Sequence, residues 1–349
     1  MVTIGIIGCG YWGPNLVRNF SGIPGARVKT VSDLRTGRLD GIIQTYTGIG
    51  TTTDFQEVID DPEIDAVVVA TPVETHFSIA EAALRAGKHV FVEKPLTRDS
   101  AEAWALVELA KSLGKVLVVG HVFQFAPGVR RIKREIDAGI LGRVHHITST
   151  RINLGPPDPK LDVIWDLGPH DCSIILHLLG ETPNRINAQG MSYKRKGVID
   201  NAHMELEFPS GATAHIHVSW LSANKMRLMQ VFGDTGSISY DEMLALDGKV
   251  KRYDNGIDNR LTVGDKDTIQ LGYSTGDIHV LQLEQHEPLR LECAEFVRAV
   301  AGGPVPPNNG EMGARVVELL ENVSRIAGAA VAGHLDAAEP EIANGVASL

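Results

Sequence analysis

Three glycines stand between an apolar, β-branched run and a helix-forming one, in the order Gly8-Cys9-Gly10-Tyr11-Trp12-Gly13. This spacing suits a turn that cradles phosphate. The first glycine permits the tight turn, the second lets a pyrophosphate approach the backbone, and the third lets helix and strand pack closely. The helix N-terminus then offers unpaired N–H groups and the positive end of its dipole. Alone, the pattern also fits a purely structural turn; the flanking strand and helix favour the dinucleotide. Asp33 ends the next apolar run, 20 residues beyond Gly13. A carboxylate there accepts from the adenosine ribose hydroxyls and repels a 2′-phosphate, which favours NAD. Arg35 and Arg38 follow it and leave NADP open, although both also read as solvated loop residues. Gly8, Gly10, Tyr11, Trp12, Gly13, Asp33, Leu34 and Arg35 are the expected cofactor contacts around this turn.

The elements that must position these groups change character along the chain. Strand-like runs at 3–7, 27–32, 66–70, 89–92 and 116–119 alternate with helical runs at 15–20, 76–86 and 100–113. Strands separated by helices mean βαβ units and a parallel sheet. Beyond a helix at 130–138, alternating runs at 143–153, 185–193, 203–208, 212–220, 226–232 and 237–240 are broken by turn signals at 209–211 and 233–236. Such runs predict an antiparallel sheet. Helices at 289–300 and 312–330 close the chain. The fold class is therefore α/β: an N-terminal Rossmann domain, doubly wound on a parallel sheet (1–122), and a second α/β domain with a mostly antiparallel sheet (123–349).

Three further segments are distinctive: Ala70-Thr71-Pro72-Val73-Glu74-Thr75-His76, then Ala86-Gly87-Lys88-His89-Val90-Phe91-Val92-Glu93-Lys94-Pro95-Leu96, then Trp165-Asp166-Leu167-Gly168-Pro169-His170-Asp171. With the glycine turn they span residues 8–171, and their order and spacing resemble the glucose–fructose oxidoreductase/inositol dehydrogenase (Gfo/Idh/MocA) family. The resemblance implies a large, open second sheet, hydride transfer between nicotinamide and a sugar or cyclitol, and assembly as a homodimer or homotetramer through that sheet. It also implies roles. Lys94 and His170 face the reacting hydroxyl or carbonyl, with Asp166 beside them. His170 serves as general acid/base, Asp166 orients the imidazole, and Lys94 polarises the substrate oxygen. A histidine suits both directions of such a reaction because it titrates near neutrality. Thr71, Pro72, His76, Glu93, Lys94 and Gln124 join the cofactor contacts. Pro169 favours a helix starting there, which leaves Asp166 in the entering loop or capping the helix. His177, two turns beyond His170, reads as a packing residue.

For the substrate, Arg151, Asn153 and Trp165 are expected to join Lys94, Asp166 and His170. Arg151, the loop Pro156-Pro157-Asp158-Pro159-Lys160, and Lys225 and Arg227 together look more like members acting on nucleotide-linked sugars than like inositol dehydrogenases. Oxidation or reduction at C3 of such a sugar is the expected reaction, and inositol or free-sugar oxidation is the alternative. A non-catalytic NAD-binding regulator would lack the lysine or histidine. Glycosidic cleavage through transient oxidation would hold its NAD without exchange.

Composition excludes other classes. The 349 residues carry 33 basic and 43 acidic side chains, a net charge of −10, which argues against nucleic acid as partner. No apolar run is long enough for a membrane span, and the N-terminus reads as a buried strand rather than a signal peptide. Cys9, Cys172 and Cys293 form neither a disulfide framework nor a metal site by spacing, so a reducing cytoplasm is expected. His215 and His217 share one strand face with Glu205 and Glu207. No zinc pattern accompanies them, and a polar sheet face is the expectation, with no metal. The basic cluster Arg130, Arg131, Lys133 and Arg134 is expected to be a solvated helix face.

Overall fold

Ala66-Val67-Val68-Val69 is buried at every position, as a strand must be when helices cover both faces of a parallel sheet. The computed structural model describes residues 1–155, 161–254, 256–263, 269–274 and 276–338. They group into two compact units, 1–126 with 285–321, and 127–284 with the described part of the chain from 322 on.

In the first unit β1 (Val2–Ile7) leads to α1 (Gly13–Ser21), β2 (Ala26–Ser32), α2 (Thr36–Thr45), β3 (Gly50–Thr52) and α3 (Phe55–Asp60). Then come β4 (Ala66–Val69), α4 (His76–Arg85), β5 (His89–Val92), α5 (Ser100–Ser112) and β6 (Leu117–Val119). The sheet order is β3-β2-β1-β4-β5-β6, parallel throughout. The order reverses between β1 and β4, so the carboxyl ends of these two strands flank a crevice suited to a dinucleotide.

The second unit begins with α6 (Pro127–Asp137), β7 (Val144–Leu154), α7 (Val163–Leu179), β8 (Arg185–Met191) and β9 (Asn201–Glu207). It continues through β10 (Thr213–Ser219), β11 (Leu221–Gly233), β12 (Ser237–Asp241) and β13 (Val250–Tyr253). β14 (Gly256–Val263) and β15 (Ile269–Ser274) form a separate hairpin before β16 (Ile278–Val280). Eight strands form one sheet in the order β16-β13-β12-β11-β7-β10-β9-β8, antiparallel except where β7 meets β10. Alternating burial, as in Asn201–Glu207, places one face of each strand on the core.

α8 (Pro288–Val300) and the start of α9 (Gly310–Ala338) group with the first unit, whereas the sequence pattern put everything after residue 122 in the second domain. The reason is apolar packing. Phe296 of α8 meets Phe20 and Phe91 edge to face, with ring centroids 6.2 and 5.6 Å away. Leu289, Cys293 and Val297 bury beside it. Asn308 and Asn309 then bond along β6, with Val119 N–H donating to Asn308 O at 2.9 Å, and cover that sheet edge.

α7 also departs from expectation. It starts at Val163, not near Pro169, because the Asp162 carboxylate accepts from Trp165 N at 3.0 Å and caps the first turn. Pro169 sits inside the helix and lacks the N–H for the fourth carbonyl back. Buried Val163, Ile164, Trp165 and Leu167 hold that turn instead. Asp166 is therefore a helical residue four before His170, on the same face.

Phe296→Ala should destabilise the first unit by about 3–5 kcal/mol, the usual cost of emptying an aromatic site. Urea unfolding measures this, and a loss below about 1 kcal/mol would contradict the packing role.

Candidate active site

The glycine turn is shaped by close backbone approach. Gly8 has φ +101°, and a Cβ on it would stand 2.5 Å from Ala70 O. A Cβ on Gly13 would stand 2.5 Å from Gly8 O, whereas at Gly10 it would meet only Arg38 Nη1, at 3.6 Å. Gly8 and Gly13 thus have no room for a side chain, and Gly10 leaves the turn open to a ligand. Asp33 is buried and accepts from Cys9 N at 2.8 Å, Arg35 N at 2.9 Å and Arg38 Nη1 at 3.2 Å. Burial alone would raise its pKa; the two backbone N–H groups and the Arg38 guanidinium outweigh that and hold it below the usual carboxylate range. Arg38 is exposed, on α2 rather than in a loop, and is thereby an ion-pair partner. Tyr11 and Leu34 are 92% and 84% exposed, two apolar surfaces beside the turn and the Asp33 strand end. Trp12 stacks under Tyr11. This set fits a dinucleotide: unhindered N–H groups, an ionised acceptor for ribose, and apolar faces for a base.

Thr71 and Pro72 follow β4, and Thr75 Oγ1 bonds to Thr71 Oγ1 and Pro72 O, each at 2.8 Å. His76 is only 1% exposed, with ring nitrogens 2.9 Å from both Thr71 O and Pro95 O. Its ring ties two loops together, where the residue pattern had placed it among the cofactor contacts. Burial holds its pKa below the usual histidine value.

Lys94 is half-buried, and a cis peptide joins it to Pro95. Its N–H donates to Glu93 Oε2 at 3.3 Å. The Glu93 carboxyl packs on Gly120, where a Cβ would stand 2.9 Å from Glu93 Oε2. Burial pushes Glu93 up to about 8, against the Lys94 charge, the Lys94 N–H and a bond from Trp12. α8 adds a second buried carboxyl, Glu292, which accepts from Asn308 Nδ2 at 2.9 Å; burial and Glu93 push it well above the carboxylate range. His121 is buried near Lys94 and pushed down to about 3 by burial and by that charge. Gln124 is 1% exposed, so its amide belongs to this interior more than to a surface.

On the second unit, α7 is buried from Val163 to Leu176 except at Asp166 and His170. Two polar groups one turn apart are thus what this helix leaves accessible over that span. Trp220 Nε1 donates to Asp166 Oδ2 at 2.9 Å and fixes the carboxylate. Sequence pattern gave no sign of this role, since Trp220 reads as an ordinary strand aromatic. Asn153 lies at the end of β7 near Gly155, whose N–H donates to Trp220 O at 3.4 Å. Trp165 is buried rather than open to substrate.

Arg151 differs from its expected role as a substrate cation. It is 4% exposed, and its Nε and Nη2 lie 2.7 and 3.2 Å from the two Asp171 oxygens. Ser149 Oγ donates to the same carboxylate at 2.8 Å. The pair anchors α7 to β7. Arg227 likewise bonds Glu242, at 2.6 Å. The loop at 156–160 lies outside the described residues. His177 is half-buried on α7 and pushed down to about 4, chiefly by burial, as a packing histidine should be. The basic cluster on α6 is paired rather than free: Arg130 and Arg134 with Glu284, Arg131 with Glu135, Lys133 with Asp137. His215 pairs with Glu205, and His217 stacks on His203. Among the described residues no group of three or more His, Cys, Asp or Glu is placed to hold a metal.

The family model for the oxidoreductase family with an NAD-binding Rossmann fold (GFO/IDH/MocA) matches residues 2–121, and that for the GFO/IDH/MocA C-terminal domain matches residues 129–239. The chain belongs to the GFO/IDH/MocA oxidoreductase family. It is an NAD-binding oxidoreductase. Inositol 2-dehydrogenase 2 of Saccharopolyspora erythraea is 34% identical over 248 residues, 68% of this chain and 73% of that one. UDP-N-acetylglucosamine 3-dehydrogenase of Acidithiobacillus ferrooxidans is 34% identical over 185 residues, 51% of this chain and 56% of that one. A crystal form of the latter enzyme superposes with TM-score 0.77 at 25% identity, covering 94% of this chain and 98% of that one.

The buried Glu93 predicts a pH effect on this family member. Its folded pKa lies near 8 against an ordinary 4.5, so the folded state keeps a proton that the unfolded chain releases. Stability therefore falls as pH rises between those values. Glu93→Gln should gain on the order of 3 kcal/mol over wild type on going from pH 5 to pH 8, read by urea unfolding. Parallel pH dependence in the two proteins would contradict it.

Proposed function

We propose that the chain transfers a hydride between NAD and a secondary alcohol or ketone of a sugar, and that the sugar is nucleotide-linked and reacts at C3. The observation that carries the catalytic assignment is α7, which is buried from Val163 to Leu176 apart from Asp166 and His170. An apolar helix opened at one acid and one histidine is arranged for proton transfer. His170 takes the hydroxyl proton in oxidation and returns it in reduction. Asp166, held by Trp220, orients the imidazole and stabilises its charged form. Lys94 polarises the substrate oxygen. Bound NAD supplies the hydride acceptor, and NADH the donor. The first unit binds the dinucleotide through Gly8, Gly10, Gly13 and Asp33, with NAD preferred to NADP because the ionised Asp33 repels a 2′-phosphate. The second unit takes the substrate and assembles homodimers or homotetramers through its open sheet, and the three free, buried cysteines suit a reducing cytoplasm.

The nucleotide-sugar reading draws support from the relative named UDP-N-acetylglucosamine 3-dehydrogenase, which matches in sequence and in fold. A second reading, inositol oxidation, draws support from relatives named inositol dehydrogenases, which match over a larger share of the chain. Among the described residues no helix is long and apolar enough to cross a membrane.

Nicotinamide absorbance across UDP-sugars, free sugars and inositols separates these readings. One UDP-linked sugar should turn over best, and Lys94→Ala and His170→Ala should each lose about 100-fold or more in kcat while binding NADH. Turnover of inositol alone would favour the second reading. Mutants as fast as wild type would remove the assigned roles.

A further inference from the structure

Lys194, Arg195 and Lys196 are the only three consecutive basic residues in a chain of net charge −10. They lie in the turn between β8 and β9, on the second unit. The turn is firmly built. The buried Asp200 carboxylate accepts from Tyr193 N at 2.9 Å and Lys194 N at 2.7 Å through one oxygen. Val198 N–H donates to Arg195 O at 3.0 Å, Ser192 Oγ also donates to Arg195 O, and Gly197 takes φ +80°. Asp200 is thus bonded to backbone N–H groups, and the side chains of Lys194 and Lys196 are exposed.

The end of this turn is tied to the catalytic helix on two sides. Val163 N–H, the first of α7, donates to Ile199 O at 3.0 Å. Trp220 N–H donates to Asp200 O at 3.0 Å, and the same tryptophan's indole holds Asp166. A basic, rigid turn therefore borders the start of the helix that carries Asp166 and His170. Tyr193 adds a ring that is 64% exposed, its hydroxyl on the Met191 sulfur. Cations beside an exposed aromatic face match a nucleoside diphosphate: phosphate oxygens on the ammonium groups, the base on the ring.

We propose that the Tyr193–Lys196 turn is the subsite for the diphosphate and base of a nucleotide-linked substrate. This rests on the nucleotide-sugar reading above. Neither the relatives' names nor the expected substrate residues point to this turn.

The test is calorimetric titration of the full chain, with NADH present, by UDP and by uridine. Wild type is compared with Lys194→Ala/Lys196→Ala, Lys194→Glu and the conservative Lys194→Arg. UDP should bind the double variant about fivefold to tenfold more weakly, as two exposed ion pairs predict. Lys194→Glu should also weaken it, Lys194→Arg should retain the wild-type affinity, and uridine should respond little. The KM for a UDP-sugar should rise in step. UDP affinity and UDP-sugar KM equal in all four proteins would overturn the subsite and leave the nucleotide-sugar reading standing. No UDP binding to wild type, with inositol or free sugar turning over, would overturn both.

Discussion

Two backbone contacts too close for any side chain govern how the first unit meets its cofactor. With β-carbons on Gly8 and Gly13 at 2.5 Å from Ala70 O and Gly8 O, β1 can turn into α1 beside the carboxyl end of β4 only with glycine at both places. The turn so formed aims the start of α1 across the strand ends and brings Cys9 N–H to the Asp33 carboxylate. One bond then joins the glycine turn to the acid just after β2. The packing of Phe20, Phe91 and Phe296 beneath the sheet keeps that geometry rigid, which is why α8 returns to this unit.

The second unit rests on a comparable constraint. α7 carries a proline in its interior, which by itself costs about 3 kcal/mol. The Asp162 cap and the apolar first turn hold the helix on one side of Pro169. The buried Arg151–Asp171 pair holds it on the other, where loss of either partner would cost roughly 3–5 kcal/mol. The helix has little freedom to rotate, so the placement of Asp166 and His170 is set by the buried groups around them. Trp220 completes this from the bend between β10 and β11.

Much of this was legible in the residues. The glycine spacing and the apolar run at Ala66–Val69 gave the parallel sheet, and alternation located six of the eight strands of the second one. What escaped has physical reasons. α2 and α3 are short and have only two buried residues each, so their periodicity is weak. Gly168-Pro169 reads as a helix start, and only the cap at Asp162 shows otherwise. Arg151 reads as a ligand cation until its buried partner, 20 residues away in sequence, is in view. Trp220, Asn308 and Glu292 act through contacts between distant segments, for which a single sequence carries no signal.

These constraints converge on one chemical claim, that a hydride passes directly between the nicotinamide ring and a carbon of the substrate while His170 handles the proton. NADH deuterated at the transferable position tests it. With a keto-sugar substrate, deuterium should appear on the new carbinol carbon of the product, and NAD should be released unlabelled. Product formed while the deuterium stays in the nucleotide would contradict the account, since the cofactor would then serve another reaction.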